Sequence, residues 1–472
     1  MSLRSRAVLA VVLTAGFYLL ALGLIAGLIA ILFVPGISGQ VAGFCLIGSV
    51  VIAVSIVPWP RPFAAPGPML NPAGQPRLFT VLQGVASAVG EAMPADVYVT
   101  PDMNAGVLQR GRRRVMVLGL PLMQVMTVAQ MRAVVAHEFG HYHGGDTRLG
   151  PWIYRTREAI ERTQRVGTGQ LALLRLPFIL YGRMFMRVTQ AVSRRQELAA
   201  DELAARTVGA APMIEGLQAL ARGSIAWNAY WKQEVVPLIE AGFQPPLAEG
   251  FARFLAEPDL AGRISEAADR MLAQQKTDPY DSHPPDAERI AALSALPLGP
   301  RADEGPPAVT LVEGISMIEP ALLAGLLKPG VQLRPVGWDQ AGSVALLPGL
   351  RERVRRQGGL VGAYTVGWLP ELLKYADRLG FSESGAAGRR LAPEQARAVG
   401  VGLAGAAFAN ALAQNGWAVE SLPGRPVTMR RGDLALQPFA EVDLLARGEV
   451  DVETWQRRCW DLGIRDLSLA PA

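Results

Sequence analysis

The stretch AHEFGHYHGGD, residues 136–146, decides how this chain is interpreted, because it holds three of the four histidines among 472 residues. His137 and His141 are four positions apart, so on a helix they project from one face, one turn above the other. Glu138 directly follows the first of them. The alternatives are a metal site and a structural helix whose histidines are satisfied by hydrogen bonds, and the spacing favours the metal site.

The residues around this stretch predict a helix that presents it. Thr127 can cap the helix N-terminus, and Gln130 follows three residues later, which is the spacing of a capping box. Met126 and Met131 can pack together around that cap as a hydrophobic staple. The glycine pair 144–145 supplies a stop signal.

The chemistry of the motif H-E-x-x-H is that of zinc peptidases. His137 and His141 would each give one ring nitrogen to a single Zn²⁺. Glu138 would take a proton from the water that attacks a peptide carbonyl. His143 is interpreted as structural, because a histidine at a helix C-terminus interacts favourably with the helix dipole.

A catalytic zinc ion usually has three protein ligands, so a third polar group is expected downstream. In SRRQELAADELAARTVG, residues 193–209, Glu197 and Asp201 are four apart and separated largely by apolar residues. Glu197 is the candidate ligand, and Asp201 is positioned to hold a ligand histidine by its free N–H. The alternative is a pair of solvated helix carboxylates beside Arg194 and Arg195.

The N-terminal sequence predicts a transmembrane hairpin within residues 1–60. Residues 7–34 carry no charge and exceed the ~20 residues that span a bilayer, and residues 41–57 form a second run at the short end of that range. Arginines flank both outer ends, so the positive-inside rule places these ends in the cytoplasm. A cleaved signal peptide is the alternative, but its apolar region would be shorter.

A third apolar stretch, LALLRLPFILYGRMFMRV at residues 171–188, is interrupted by Arg175, Arg183 and Arg187. A bare membrane span does not carry arginines at mid-depth. An amphipathic helix that lies at the membrane interface or against the catalytic domain is therefore favoured. A third crossing is the alternative.

Five segments, in order, resemble the HtpX type of integral-membrane zinc metallopeptidase, which is related to the CAAX prenyl-protein endopeptidases. The resemblance covers roughly residues 1–295. The matching segments are the hairpin, NAGV (104–107), HEFGHYHGGD (137–146), SRRQELAADELAA (193–205) and SHPPDAERIAAL (282–293).

The resemblance implies a role for each matching residue. His137, His141 and Glu197 would bind one Zn²⁺ per chain, with Glu138 as the general base. His283 would lie near the metal and stabilise the oxyanion, which requires a preformed donor.

Other matching residues would support the site or bind the substrate. The resemblance implies that Asp201, Asp146 and Arg289 surround the ligands, with Arg289 paired to acidic groups behind the site. Asn104 and Ala105 would bind the substrate backbone, although Gly106 stands where relatives carry an aromatic residue. Residues 112–119 read as a strand, and in this family an edge strand would pair with an extended substrate.

Beyond the resemblance, the proline- and glycine-rich residues 296–308 predict a linker. It would separate a peptidase domain (61–295) from a small α/β accessory domain (309–472) that contains no histidine. In that domain the patterns predict a strand, helices and a hairpin, at residues 309–314, 369–380, 392–416, 417–439 and 451–464. The predicted fold class is α+β, with a mainly helical, zincin-like (gluzincin) peptidase domain and a short edge sheet.

The composition limits the classes of partner. The formal net charge is +5 and the arginines are scattered among acidic stretches, so no nucleic-acid partner is expected. The sequence instead predicts a multi-pass zinc endopeptidase of the plasma (inner) membrane that faces the cytoplasm. Its expected substrates are extended segments of membrane or membrane-associated proteins, with a role in quality control. The alternative is a catalytically silent membrane scaffold or binding protein that acts through its C-terminal domain.

Overall fold

The computed structural model describes residues 3–57, 63–110, 113–143, 146–164, 173–275, 283–297, 305–328, 330–386 and 391–470. Within these ranges the chain is mostly helical and contains three small sheets, as the fold class α+β with a mainly helical domain predicts. It divides into two compact units. The first is Met1–Ser224 with Glu266–Gly325, and the second is Ile225–Ser265 with Leu326–Ala472.

The helices and strands are numbered along the chain. The N-terminal half contains α1 (Leu3–Ile31), α2 (Gly39–Ile56), β1 (Met69–Leu70), α3 (Pro76–Val89), β2 (Asp96–Thr100), β3 (Ala105–Arg110), β4 (Arg113–Gly119), α4 (Leu120–Val125), α5 (Val128–His143), α6 (Asp146–Gln164), α7 (Arg175–Val208) and α8 (Ala210–Tyr230). A π-helical turn, Trp231–Val235, follows α8.

The C-terminal half continues in the same way. It contains α9 (Val236–Glu240), β5 (Phe243–Gln244), α10 (Leu247–Leu255), α11 (Pro258–Gln274), α12 (Asp286–Ser294), α13 (Ile315–Ala324), β6 (Arg334–Pro335), α14 (Trp338–Ala341), α15 (Leu347–Arg356), α16 (Gly358–Val361), α17 (Leu369–Leu373), α18 (Ala376–Ala386), α19 (Pro393–Gln414), β7 (Ala418–Glu420), β8 (Thr428–Arg431), β9 (Leu434–Leu436), α20 (Pro438–Arg447) and α21 (Val452–Asp461). A second π-helical turn, Gly342–Leu346, precedes α15.

The first unit holds a four-stranded sheet in the order β1-β2-β4-β3. β4 is parallel to β2 and antiparallel to β3. The strand predicted at residues 112–119 is thus β4, and it lies inside the sheet, with residue 112 outside the described part of the chain. Its buried apolar residues suit an internal position, and the edge role falls to β3, which begins at Ala105.

The two predicted apolar segments form α1 and α2, and both are long and apolar enough to cross a membrane. They pack against α6 and the first half of α7 through one apolar cluster, which consists of Leu13, Phe17, Ala21, Leu28, Cys45, Ile52, Ala159, Ile160, Phe178 and Phe185. Residues 175–188 are therefore the beginning of α7, a 34-residue helix about 50 Å long, and residues 171–172 lie outside the described part.

The predicted cap of the histidine helix is confirmed. The backbone N–H of Gln130 donates to Thr127 Oγ1 at 3.3 Å, and the N–H of Thr127 donates to Gln130 Oε1 at 3.0 Å. Both methionines of the predicted staple are buried beside this cap. The predicted glycine stop at 144–145 lies outside the described residues.

The end of the predicted linker is fixed to the start of α5. The N–H of Ala308 donates to Met126 O at 2.8 Å, and the N–H of Val128 donates to Pro306 O at 3.2 Å. The strand predicted at 309–314 is wrong, because Ala308–Leu311 forms a 3-10 turn. The apolar residues of this segment pack as a turn, since a strand needs a neighbour with which to pair.

The second unit includes residues 225–265, which the sequence-based boundaries place in the peptidase domain. Tyr230 contacts Phe251, Phe254 and Trp338 with ring centroids 5.4, 5.6 and 6.0 Å apart. Its hydroxyl donates to Leu247 O at 3.0 Å. This aromatic cluster explains why the segment packs with residues 326–472. The boundaries near residues 60, 295 and 308 stay predictions.

The remaining C-terminal elements largely follow their predictions. Residues 417–439 form the three antiparallel strands β7, β8 and β9, and residues 452–461 form the final helix. The helix predicted at 369–380 is divided into α17 and α18. α19 is long and apolar enough to cross a membrane, but 67% of its most apolar window is buried in the second unit, so it serves as a core helix here.

Candidate metal centre

The helices α5 and α7 approach each other closely at Gly140. A Cβ at this position would lie 3.0 Å from Ala200 Cα and 3.1 Å from Ala200 Cβ. Ala204, one turn further along α7, is also fully buried. Small residues on both helices therefore let the two backbones come together. This contact brings the carboxylates of α7 beside the histidines of α5.

His137, His141 and Glu197 converge where these helices meet. The potential ligand atoms of the three side chains all lie within 4.8 Å of one another. Nε2 of His137 is 3.4 Å from Glu197 Oε2, and Nε2 of His141 is 3.6 Å from Glu197 Oε1. Two imidazole nitrogens and one carboxylate are a donor set that zinc accepts in catalytic sites.

The carboxylate of Glu197 is the best test of whether a metal fits here. Its Oε2 atom is buried, and among the described residues no donor is aligned to hydrogen-bond it, although the nitrogens of His137 and His283 are close. An ionised oxygen buried without a proper partner is costly. A cation between Glu197 and the two histidines would remove that cost, so the residues fit a metal ion.

Asp201 and Arg289 lie behind the histidines. Asp201 Oδ1 is 2.9 Å from Nδ1 of His137, although the two atoms are not ideally aligned for a hydrogen bond. Arg289 donates to both carboxylate oxygens of Asp201, from Nε at 2.8 Å and from Nη2 at 2.7 Å. This arrangement turns Nε2 of His137 towards Glu197.

The electrostatic potential at the site favours a cation. Burial disfavours the charged imidazole of His137, but Asp201 and Glu197 outweigh burial and raise its pKa to about 9. Burial also opposes ionisation of Glu197, yet interactions with His137 and His283 hold its pKa well below the ordinary value. The pKa of Asp201 is lowered against burial by Arg289 and His137. A metal ion binding here must displace the proton from His137.

Glu138 differs from the other carboxylates of the site. Burial raises its pKa, and the nearby His137 and His141 only partly oppose this effect. A carboxylate with a raised pKa holds a proton more strongly and is therefore a better general base near neutral pH. Glu138 is partly buried on α5, next to His137 in the chain.

His283 approaches the site from the segment before α12. Its Nδ1 lies 3.1 Å from Glu197 Oε2, while 62% of its side chain is exposed. Arg289 follows six residues later, in α12, and is buried. The structure thus brings His283 and Arg289, both from the SHPPDAERIAAL segment, to the candidate centre. Ser282 lies outside the described part of the chain.

The family comparison agrees with this geometry. Residues 72–296 match the sequence model of Peptidase family M48. This matched range is here called the M48 domain. All of the residues that converge on the centre lie inside this M48 domain.

One curated relative has a name that bears on the site. The chain is 27% identical over 169 residues to the Protease HtpX of Tolumonas auensis, and the match covers 31% of this chain and 58% of that protein. The chain therefore spans somewhat more than half of the length of this relative. No solved structure gives a significant match.

Ala105 begins the edge strand β3, and Asn104 directly precedes it. The N–H of Gly119 donates to Asn104 O at 2.8 Å, and a Cβ at position 119 would lie 1.9 Å from Asp102 O. Gly119 therefore allows the end of β4 to approach the backbone of the segment that precedes β3. At Gly106, by contrast, a Cβ would meet only Val117 within 4 Å, at 3.7 Å.

Tyr142 ties this sheet to the histidine helix. Its hydroxyl donates to Val115 O at 3.2 Å in β4 and lies 3.5 Å from Leu108 O in β3. The guanidinium of Arg114 lies over its ring at 4.4 Å. Tyr142 thus holds the edge strand against α5, the helix that carries His137 and His141.

Two residues of the site were missed by sequence reasoning, and two predicted residues stay unplaced. The missed residues are Gly140 and Tyr142, which lie within the quoted histidine stretch. The small residues of α7 that face Gly140 are the sequence feature that could have indicated its role. The backbone of Asp146 begins α6, but its side chain lies outside the described part. The same holds for the side chain of His143.

Proposed function

We propose that this protein is a membrane-anchored, zinc-dependent endopeptidase. The observation that carries the proposal is the convergence of His137, His141 and Glu197, with a buried Glu197 oxygen that lacks an aligned donor. Glu138 stands beside the first ligand. The M48 match supports the same class of chemistry.

His137, His141 and Glu197 would hold the metal. When bound, Zn²⁺ lowers the pKa of water and polarises a carbonyl. Glu138 would accept the proton of the attacking water and then deliver it to the departing amine. Asp201 would keep the proton of His137 on Nδ1, so that Nε2 is free to bind. His283, exposed beside Glu197, would donate to the developing oxyanion.

The proposed substrate-binding element is the edge strand β3. An edge strand presents unpaired backbone groups, to which an extended peptide adds as a further strand. Tyr142 links β3 to the metal-binding helix, which supports a zincin-like arrangement in which the bound peptide passes the metal. Asn104 and Ala105 would contact the substrate backbone at the beginning of this strand.

The proposed location is the plasma (inner) membrane. The apolar helices α1 and α2 would cross it as a hairpin, with both outer ends and the M48 domain in the cytoplasm, as the flanking arginines indicate. The substrates would be extended segments of membrane or membrane-associated proteins, in a quality-control role. The name of the relative, Protease HtpX, supports the protease activity.

The decisive experiment compares the wild-type protein with Glu138→Gln in detergent. We expect one zinc ion per chain in both proteins and cleavage of an unfolded protein substrate by the wild type alone. Glu202→Gln is the matched control, because Glu202 is an exposed carboxylate on α7, paired with Arg206. A wild-type protein without zinc, or equal cleavage by Glu138→Gln, would favour the silent scaffold instead.

A further inference from the structure

A stripe of polar side chains runs along the second half of α7. Its members, Thr189, Ser193, Glu197 and Asp201, recur every four residues, so they lie along one face of the helix, each about one turn from the next. Three of them are buried, and Ser193 is partly buried. The candidate metal ligand Glu197 belongs to this polar stripe, so the direction in which the stripe points sets the direction of the ligand.

Arg157 of α6 contacts the first part of the polar stripe. Its Nη2 donates to Gln190 Oε1 at 2.9 Å and to Thr189 Oγ1 at 3.2 Å. The same nitrogen lies 3.5 Å from Ser193 Oγ. These acceptors occupy the turn of α7 that directly precedes Glu197.

The far end of the polar stripe is tied to a different helix. Arg289 of α12 donates to both carboxylate oxygens of Asp201, one turn after Glu197. Arg157 makes the corresponding contact one turn before Glu197. The candidate ligand therefore lies between two guanidinium groups, which together fix the rotation of α7 about its axis.

Arg157 is placed where a positive charge is costly. Its acceptors in the described part of the chain are uncharged oxygens, and its buried Nε has no acceptor there. Burial lowers the pKa of Arg157, and the charge of Glu161 only partly opposes this effect. Because an uncharged side chain of similar size would fill this space at lower cost, stability does not account for the arginine.

The hydroxyl groups that Arg157 contacts do not depend on it for their own hydrogen bonds. The hydroxyl of Thr189 donates to Phe185 O at 2.9 Å, and that of Ser193 donates to Thr189 O at 3.2 Å. Removal of the guanidinium thus leaves neither hydroxyl donor unpaired. What is lost is a fixed direction for this turn of α7.

We propose that Arg157 is a positioning residue for the metal centre and sets the rotation of α7 so that Glu197 faces the two histidines of α5. The inference rests on the proposed function, because it takes Glu197 to be a metal ligand. Arg157 acts through the turn 189–193, and within the described ranges it makes no hydrogen bond to a candidate ligand.

The test measures metal affinity and folding stability separately, with the full chain in detergent. Arg157→Met removes the charge and keeps most of the side-chain volume. Cobalt(II) is the probe, because its visible absorption reports both the amount bound and the geometry of its ligands. Arg155→Met is the matched control, since Arg155 is an exposed arginine two residues earlier on α6.

We expect Arg157→Met to bind cobalt about 10-fold more weakly and with an altered absorption spectrum, as on loss of an orienting partner. The urea midpoint of the metal-free variant should equal or exceed that of the wild type, because a costly charge is removed. Arg155→Met should match the wild type in both measurements.

A second variant tests whether Arg157 acts through α7. Gln190 accepts its shortest hydrogen bond, so Gln190→Met should also weaken cobalt binding. If the two side chains act together, the double variant should bind cobalt no more weakly than Arg157→Met alone. Losses that multiply in the double variant would overturn the inference.

Two results with Arg157→Met also overturn it. One is unchanged cobalt affinity, and the other is a loss of folding stability along with affinity, which would give Arg157 a structural role. Both leave the proposed function intact, because the wild type binds cobalt. A wild-type protein that binds no cobalt contradicts the proposed function and the inference together.

Discussion

Gly140 of α5 and Ala200 of α7 are in direct contact, with only 3.0 Å between a Cβ at position 140 and Ala200 Cα. Each residue is one turn or less from a candidate metal ligand, His141 or Glu197. The distance between the two helices therefore sets the distance between the ligands. A larger side chain at this contact should therefore first lower the affinity for the metal.

Gly140→Val should separate the helices. Overpacking of this kind costs about 1–3 kcal/mol of unfolding free energy. Zinc affinity should fall as well, because Glu197 is moved away from both histidines. Equilibrium unfolding and zinc titration check the two effects.

A matched control for Gly140 is available in α3. At Gly84 a Cβ would meet nothing within 4 Å. Gly84→Ala should therefore raise stability by about 0.5–1 kcal/mol, since alanine is the better helix former, and should leave zinc affinity unchanged. Unaltered zinc affinity in Gly140→Val would show that the helix contact does not control the site.

Asp201→Asn should weaken both the fold and the metal site. Arg289 and Asp201 are both buried, and removal of one partner of a buried ion pair costs about 3–5 kcal/mol. Zinc affinity should fall about 10- to 100-fold, because the orientation of His137 is lost. Chemical denaturation with and without zinc measures both quantities.

The control for Asp201→Asn is Glu202→Gln, the next residue on the same helix. Glu202 pairs with Arg206 at the surface, and such pairs contribute about 0–1 kcal/mol. A loss of stability in Glu202→Gln as large as that in Asp201→Asn would contradict the assignment.

The metal-free protein should lose stability as the pH rises. The pKa of His137 is raised in the folded state to about 9 from its ordinary value of 6.5. The charged ring therefore stabilises the fold fully below pH 6.5, and this contribution disappears as the pH passes 9. Its size is about 3 kcal/mol, from 1.36 kcal/mol per pKa unit.

Urea unfolding of chelator-treated protein at pH 6, 7.5 and 9 tests this dependence. The His137→Gln variant should show a flatter profile, since it lacks the titrating ring. Addition of zinc near pH 7.5 should release about one proton per ion, which calorimetry in buffers of different ionisation enthalpy detects. Zinc binding without proton release would argue that His137 is already neutral.

Two glycines of the sheet should respond oppositely to alanine. Gly106→Ala should raise stability by about 0.5–1 kcal/mol, because the strand has room for a methyl group. Gly119→Ala should lower it by about 1–3 kcal/mol, because the new Cβ would collide with Asp102 O.

The kinetic constants of Gly119→Ala and Gly106→Ala should also differ. Gly119→Ala displaces Asn104 and Ala105 at the start of β3, so KM for an extended peptide should rise. Gly106→Ala should keep kcat close to the wild-type value. Thermal unfolding and peptide cleavage are the measurements, and equal kinetics in both variants would remove β3 from the substrate site.

The local features of the molecule follow from the sequence. The cap formed by Thr127 and Gln130, the helix that carries His137 and His141, and the two apolar helices depend on neighbours within a few residues. Capping and hydrophobic periodicity act over that range, so a single sequence reports them. The predicted strand at 309–314 is wrong because a short apolar run is ambiguous until its partners are known.

The sequence indicated which residues surround the histidines, but only the tertiary structure decided the contacts that hold them there. Glu197 lies about sixty residues beyond His137, and the packing of α5 against α7, which includes the contact of Gly140 with Ala200, brings them together. The bidentate pair of Arg289 with Asp201 and the edge position of β3 likewise depend on long-range packing. Such packing follows from the fit of side-chain volumes across distant segments, which leaves no periodic signal in either segment alone.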